Sequence, residues 1–302
     1  MILVIGGTGL VGSRVVEGLL SMQCPTRVLS AGHSDWNNNV VPAFRKAGVE
    51  IIAGDMRDQR VLAEAVTGCT GIVHAAGIIN ARPGQSLESV NVASLASLIP
   101  IAESAGVQRF LYVSCLGSTQ FSSSHYFRSK WQAEELVRQS NFVWTIFRPA
   151  LIFGPGCQLL RGLEFWLRRF PIALTVGSGL NEIGVVSAED VAACVAQSVY
   201  NRDTVGKTFN LVGPESKTLA EILEQTSLYL AGQEKPTFSV PASLAYALAD
   251  VFSRLNPRAP ISGEFLRLIS ADLTGDPLVM QTNFKVECLP LESCIKSLSM
   301  RR

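Results

Sequence analysis

Tyr126 and Lys130 stand four apart in Tyr126-Phe127-Arg128-Ser129-Lys130, so a helix through this run sets both on one face. There an ammonium favours the tyrosinate and can also bind ribose hydroxyls. A phenol needs such a neighbour to exchange protons with an alcohol or carbonyl near neutral pH. The spacing also fits a solvated lysine beside a packed tyrosine, so the pair needs a second signal.

That signal opens the chain. Met1-Ile2-Leu3-Val4-Ile5 reads as a buried strand and runs directly into Gly6-Gly7-Thr8-Gly9-Leu10-Val11-Gly12. Glycines at 6, 9 and 12 allow a tight turn, close approach to a diphosphate and close packing of the amphipathic helix expected over Val11 to Leu20. The helix start would aim its unpaired N–H groups and positive end at the phosphates. A dinucleotide is therefore the expected ligand, with Gly6, Thr8, Gly9, Leu10 and Val11 around the diphosphate and Gly7 and Gly12 in the same turn.

Around these residues, strands and helices alternate. The strand candidates are Met1 to Ile5, Thr26 to Ser30, Val49 to Ala53, Gly71 to Ala75, Phe110 to Val113 and Trp144 to Phe147. Between them lie helical candidates Val11 to Leu20, Val40 to Ala47, Arg60 to Val66, Leu87 to Glu103 and Ser129 to Gln139. Such alternation predicts an α/β, Rossmann-type doubly wound parallel sheet, with ligands outside the carboxyl ends of the strands. We expect a dinucleotide-binding core over 1–155, a mixed segment over 156–212 that returns to the core, and a mainly substrate-binding lobe over 213–302. Thr208 to Val212 fits a further strand, and Ser216 to Glu221 a capped helix start.

The ordered pieces resemble the short-chain dehydrogenase/reductases of the extended or atypical, epimerase/dehydratase-like type. They also resemble the branch containing the accessory nucleotide-binding subunit of respiratory complex I. The resemblance is carried by Gly6 to Gly12, Gly54-Asp55-Met56-Arg57-Asp58, Val73-His74-Ala75-Ala76-Gly77, Asn91-Val92, Tyr112-Val113-Ser114, Tyr126 to Lys130, and Phe147-Arg148-Pro149 through Gly156. It implies that Asp55 and Met56 lie near adenine, and that Ala75, Ala76 and Gly77 let the backbone approach the cofactor. It also places Val113, Pro149, Ala150, Leu151 and Ile152 at the cofactor, and gives Tyr126 and Lys130 the proton-exchange role. Asp55 fits a turn or helix cap as well, and His74 reads as an interior histidine without a catalytic role.

One position departs from that pattern. Relatives carry a serine or threonine after the fifth strand, but the third position of Ser114-Cys115-Leu116 is leucine, and only 11 residues separate Ser114 from Tyr126. Ser114 is either the hydroxyl donor or the end of the strand, touching nicotinamide through its backbone. Cys115 reads as a small buried residue, because no histidine is placed to activate it.

Cofactor choice turns on the end of the second strand, Arg27-Val28-Leu29-Ser30-Ala31-Gly32-His33-Ser34-Asp35. No carboxylate stands near Ser30 or Ala31 to repel a phosphate, and Ser30, His33 and Ser34 can donate hydrogen bonds. NADP is accordingly expected over NAD, and Arg27 would assist if the register allowed.

Composition excludes other classes. A formal charge of +1 offers no electrostatic footprint for nucleic acid, and 47% hydrophobic residues with 17% charged argue against disorder. Seven cysteines without a CxxC and only three histidines predict no metal centre. That odd count, with a core strand beginning at Met1, leads us to expect a reducing, cytoplasmic setting, and no apolar run is long enough for a membrane span. The substrate is expected to be a small molecule. Leu159 to Phe170, rich in apolar groups and arginine, fits core, pocket wall, or a surface touching lipid or a protein. Pro241 to Phe252 reads as a helix apolar on nearly all sides, needing cover. The function expected is NAD(P)-dependent chemistry on an alcohol or carbonyl. Two alternatives stand beside it: a sugar-nucleotide epimerase or dehydratase, and a nucleotide-binding accessory or assembly protein without turnover. Peripheral membrane or complex association and the oligomeric state stay open.

Overall fold

The computed structural model describes residues 1–31, 37–81, 83–157, 160, 163, 166–167, 169–255 and 261–299. The chain forms two units, one of residues 1–81, 85–149 and 188–210, the other of 82–84, 150–187 and 211–302.

Among the described residues, the first unit is built on a seven-stranded sheet. Its strands are β1 (Ile2–Ile5), β2 (Thr26–Ser30), β3 (Glu50–Ala53), β4 (Gly71–His74), β5 (Arg109–Val113), β6 (Val143–Pro149) and β10 (Lys207–Leu211), in the order β10-β6-β5-β4-β1-β2-β3. β1 pairs in parallel with both β2 and β4, and β4–β5, β5–β6 and β2–β3 are parallel too. Residues of β1, β2 and β4 are buried throughout, because helices cover both faces of such a sheet. The helices are α1 (Leu10–Ser21), α2 (Asn37–Lys46), α3 (Gln59–Val66), α4 (Ser94–Ser104), α5 (His125–Gln139) and α6 (Ala188–Ser198). Leu3, Ile5, Leu62, Ile72, Leu95, Phe110, Tyr112 and Ile146 belong to the continuous core. The doubly wound parallel sheet expected from the sequence is the observed fold.

Two details differ from expectation, and a third contact was not foreseen. The single helix expected over Leu87 to Glu103 begins as a π-helical stretch, Glu88–Ala93, before α4. Within the wider turn, buried Asn91 takes the Ile78 N–H at 2.9 Å and donates to the Ile78 carbonyl at 3.0 Å and to Ser129 Oγ at 3.0 Å. Arg27 does not serve the end of β2. Its guanidinium donates to the carbonyls of Ala65 at 2.8 Å and Thr67 at 2.6 Å and pairs with Glu50 at 2.9 Å. Finally, α6 closes onto α1: Arg14 meets Glu189 at 2.6 Å, and a Cβ on Gly18 would lie 3.1 Å from that of Ala196.

The second unit holds β7 (Leu151–Phe153), β9 (Glu182–Ser187) and β11 (Ser216–Thr218) in one small sheet, and β8 (Ala173–Val176) paired in parallel with β12 (Thr237–Val240). Thr218 and Glu221 form a reciprocal capping box that starts α7 (Leu219–Ala231). Beyond it come α8 (Ala242–Leu255), α9 (Gly263–Ile269), α10 (Leu278–Phe284) and α11 (Leu291–Ser299). The cover expected for the helix after Pro241 is one-sided. α9 packs against α8, where Asp250 accepts the Gly263 N–H at 3.1 Å, while Leu244, Leu248, Val251, Phe252 and Leu255 are exposed. Much of Leu159 to Phe170, and 256–260, lie outside the described residues.

Candidate nucleotide and proton-transfer site

The glycine turn has the geometry its spacing requires. Gly6 adopts φ +80°, and a Cβ there would stand 2.7 Å from the Ala76 nitrogen. A Cβ on Gly12 would come within 2.2 Å of the Gly6 carbonyl oxygen. Gly9 differs: its Cβ would meet only the Gly6 oxygen, at 3.2 Å, so the space beyond it is clear. α1 starts at Gly9 with no side-chain cap and no acidic residue in its first turn. A cradle of this kind fits an anionic diphosphate, and the donors of the first helical turn face it.

Neighbouring strand ends complete the cradle. Thr8 Oγ1 and Ser30 Oγ lie 3.3 Å apart, tying the turn to β2, a contact that separation along the chain concealed. The Gly54 N–H reaches the Ser30 carbonyl at 3.0 Å, so the ends of β2 and β3 are joined as well. Asp55 turns its carboxylate toward Arg57, taking the backbone N–H at 2.9 Å and the guanidinium at 2.6 Å, with Met56 between them half-buried. Ala75 to Gly77 leave β4 beside Gly6, with the Ala75 N–H on the Ile5 carbonyl at 2.9 Å. His33 and Ser34 lie outside the described residues. Pro149 ends β6 in the first unit. In the second unit Ala150 bonds back to the Leu211 carbonyl at 2.9 Å, and Leu151 and Ile152 lie in β7.

α5 carries the chemistry. Ser124 caps it by accepting the Phe127 N–H, which fixes the helical phase that puts Tyr126 and Lys130 on one side. Lys130 is buried, donates from Nζ to the Val113 carbonyl at 2.8 Å and lies 4.5 Å above the Tyr112 ring. A Cβ on Gly77 would lie 3.5 Å from this ammonium, so Lys130 faces the small-residue end of β4. Burial brings Lys130 down to about 8, against the opposing pull of Cys115 and Glu134. The Tyr126 ring is half-buried while its hydroxyl end is enclosed, and burial holds the phenol well above its ordinary value, with Cys115 adding to the rise.

Ser114 follows a different course. Its hydroxyl donates to Glu134 Oε1 at 2.5 Å, and its N–H is taken by the Phe147 carbonyl at 2.7 Å. Glu134 is fully buried and also receives Arg148 at 2.8 and 2.6 Å and Arg138 at 2.7 Å. No expectation drawn from the sequence included Glu134, although it stands four residues beyond Lys130 on the same helix. His74 is interior, pushed down to about 3 by burial and then by the Lys130 charge, and its Nδ1 finds no hydrogen-bond partner among the described residues.

Comparison with known proteins agrees with this geometry. The model of a family described as NAD(P)H-binding matches residues 6–159, just over half the chain. A ceramide reductase of Caulobacter vibrioides is 32% identical over 64% of this chain, a stretch that spans 59% of that relative. A mitochondrial NADH dehydrogenase [ubiquinone] 1 alpha subcomplex subunit 9 of Arabidopsis thaliana is 26% identical over 95% of this chain and 73% of its own. In fold, the chain superposes on an NADPH-dependent quinone oxidoreductase of Escherichia coli with a TM-score of 0.76, covering 99% of this chain and all of the other at 17% identity. Glycine turn, parallel sheet and family match converge: the chain belongs to the NAD(P)H-binding family, as a short-chain dehydrogenase/reductase of atypical type.

Proposed function

We propose that the protein is an oxidoreductase that interconverts an alcohol and a carbonyl on a small, apolar molecule, using NADP in preference to NAD. The observation that carries this reading is the joint placement of Tyr126 and Lys130 on α5, with the Lys130 ammonium at the Val113 carbonyl and facing Gly77. Gly6 to Gly12 and the start of α1 would hold the diphosphate, Thr8 and Ser30 the adenosine ribose, and Ala75 to Gly77, Val113 and Lys130 the nicotinamide half. Asp55 and Met56 would stand at adenine, and Pro149 at the end of β6 beside the nicotinamide half. A bound nicotinamide supplies the hydride in reduction or takes it in oxidation.

The chain's own residues handle the proton. The phenol of Tyr126 is protonated at neutral pH, so it begins as an acid and gives its proton to the oxygen of a carbonyl under reduction. The tyrosinate left behind is stabilised by the Lys130 ammonium, which remains mostly charged at pH 7. Ser114 is no part of this step, since its proton is committed to Glu134. That neither position 30 nor position 31 carries an acidic residue supports the NADP preference.

The substrate class draws on the named activity of the Caulobacter vibrioides relative, a ceramide reductase. Purified protein should be offered NADPH and NADH with ceramide-like ketones, quinones, sterols and nucleotide sugars, with Tyr126→Phe as control. Tyr126-dependent conversion with tighter NADPH binding is expected; tighter NADH binding overturns the cofactor preference. A second reading rests on the complex I subunit that aligns with 95% of the chain. Nucleotide binding without any Tyr126-dependent conversion would favour that accessory role.

A further inference from the structure

Lys130 and Glu134 stand one turn apart on α5 and take hold of consecutive residues at the end of β5. The Lys130 ammonium donates to the Val113 carbonyl at 2.8 Å, and Glu134 Oε1 accepts the Ser114 hydroxyl at 2.5 Å. One planar peptide unit lies between the two holds, so the carbonyl that anchors the ammonium follows wherever Ser114 is set. Glu134 is fully buried, and Arg148 from β6 at 2.8 and 2.6 Å and Arg138 at 2.7 Å offset the cost of burying its charge. The arginines already balance the carboxylate, so what the Ser114 hydroxyl adds is a link from this fixed group to β5. The Ser114 N–H on the Phe147 carbonyl at 2.7 Å holds the same peptide from its β6 side.

We propose that Glu134 is a positioning residue for Lys130: through the Ser114 hydroxyl it fixes the peptide whose carbonyl receives the ammonium. The inference rests on the nucleotide and proton-transfer roles given to Lys130 in the oxidoreductase reading above. A lysine stem has several rotatable bonds, and the Val113 carbonyl selects one arrangement among them, 4.5 Å above the Tyr112 ring. Loosening that carbonyl would leave the ammonium charged and present but no longer aimed. Glu134 touches neither nucleotide nor substrate in this arrangement and acts through Ser114 alone.

Lysine labelled with 13C at Cε, in the full-length protein free of ligand, tests the placement. The Lys130 methylene signal, assigned by its loss in Lys130→Met, should stand upfield of an exposed lysine because the side chain ends over the Tyr112 ring. Ser114→Ala cuts the link to β5 and leaves Glu134 its arginines. Its Lys130 signal should fall back toward that of an exposed lysine, and its Kd for NADPH should rise about fivefold. Glu134→Gln keeps an amide oxygen for the Ser114 hydroxyl but weakens the arginine pairs. It should be the less stable of the two variants, yet hold the signal upfield and bind NADPH within about twofold of wild type. A merely structural Glu134 would make affinity follow stability and reverse that order. An unmoved Lys130 signal in Ser114→Ala, or a displaced one in folded Glu134→Gln, overturns the proposal. If no substrate shows Tyr126-dependent conversion while the signals behave as expected, the oxidoreductase reading fails and the positioning of Lys130 stands.

Discussion

Ser114 Oγ donates to Glu134 Oε1 across 2.5 Å, fastening the end of β5 to the helix that carries Tyr126 and Lys130. Glu134 is fully buried, and the two arginines on its other oxygen contacts come from β6 and the next turn of α5. Removing the carboxylate would strip Arg148 of its carboxylate partner and leave Arg138 with Glu135 alone. Glu134→Ala should cost about 3 kcal/mol or more, whereas Ser114→Ala should cost about 1 kcal/mol. Urea unfolding of the two variants checks this, and equal losses would show that Glu134 is not the centre of the network.

The glycines of the turn separate folding from binding. Gly12→Ala drives a methyl group into the Gly6 carbonyl and should lower both melting temperature and nucleotide affinity. Gly9→Ala meets only one backbone oxygen at 3.2 Å, with ordinary φ of −82°, so melting should stay within a few degrees of wild type. Nucleotide affinity should nevertheless fall at least about tenfold, because the added methyl occupies the diphosphate's place. Calorimetric titration with NADPH decides the matter, and an unchanged Kd for Gly9→Ala would move the diphosphate elsewhere.

Lys130 makes stability depend on alkaline pH. Its folded value of about 8 lies below the ordinary 10.5, so between these values the unfolded chain binds the extra proton. Stability should therefore rise with pH across that window, by about 1.4 kcal/mol per pH unit from this group. Lys130→Met should remove the rise and weaken nucleotide binding together. Because the raised Cys115 thiol gives an opposite slope from about pH 9 upward, the test is the difference between wild type and Lys130→Met from pH 8 to 10; equal slopes would contradict the burial of a charged lysine here.

His74 acts at the acid end. Held near 3 against an ordinary 6.5, it stays neutral in the folded state while the unfolded chain takes up a proton. Its contribution is complete above pH 6.5 and is lost as pH falls toward 3, by about 1.4 kcal/mol per unit. His74→Phe, beside Phe110 and Tyr112, should flatten this acid limb in chemical denaturation at pH 4 to 7.

Much of the first unit was legible because its signals are local. Apolar runs ending in glycine or small residues marked β1 and β4, and Thr26 to Ser30 carries the bounds of β2 as observed. Tyr126 and Lys130 were readable because helical phase depends only on their spacing. What stayed hidden depends on contacts between distant segments. Arg27 looked available from its place in the strand, but the carbonyls of Ala65 and Thr67 claim it. The π-helical start before α4 follows from Asn91 bonding to Ile78, which no periodicity announces. In the second unit, β7 and β9 are short runs paired with each other across a long stretch of sequence, so neither carries an alternating pattern long enough to read.

The uncapped, uncharged start of α1 has a consequence for handling the protein. Concentrated sulfate or phosphate in a buffer would occupy the same donors as the dinucleotide. Such salts would raise the melting temperature of the ligand-free protein by mass action and, as competitors, make the nucleotide look weaker than it is. Affinities measured in phosphate and in a zwitterionic buffer should therefore differ, and the difference itself reports how much of the binding is addressed to that helix end.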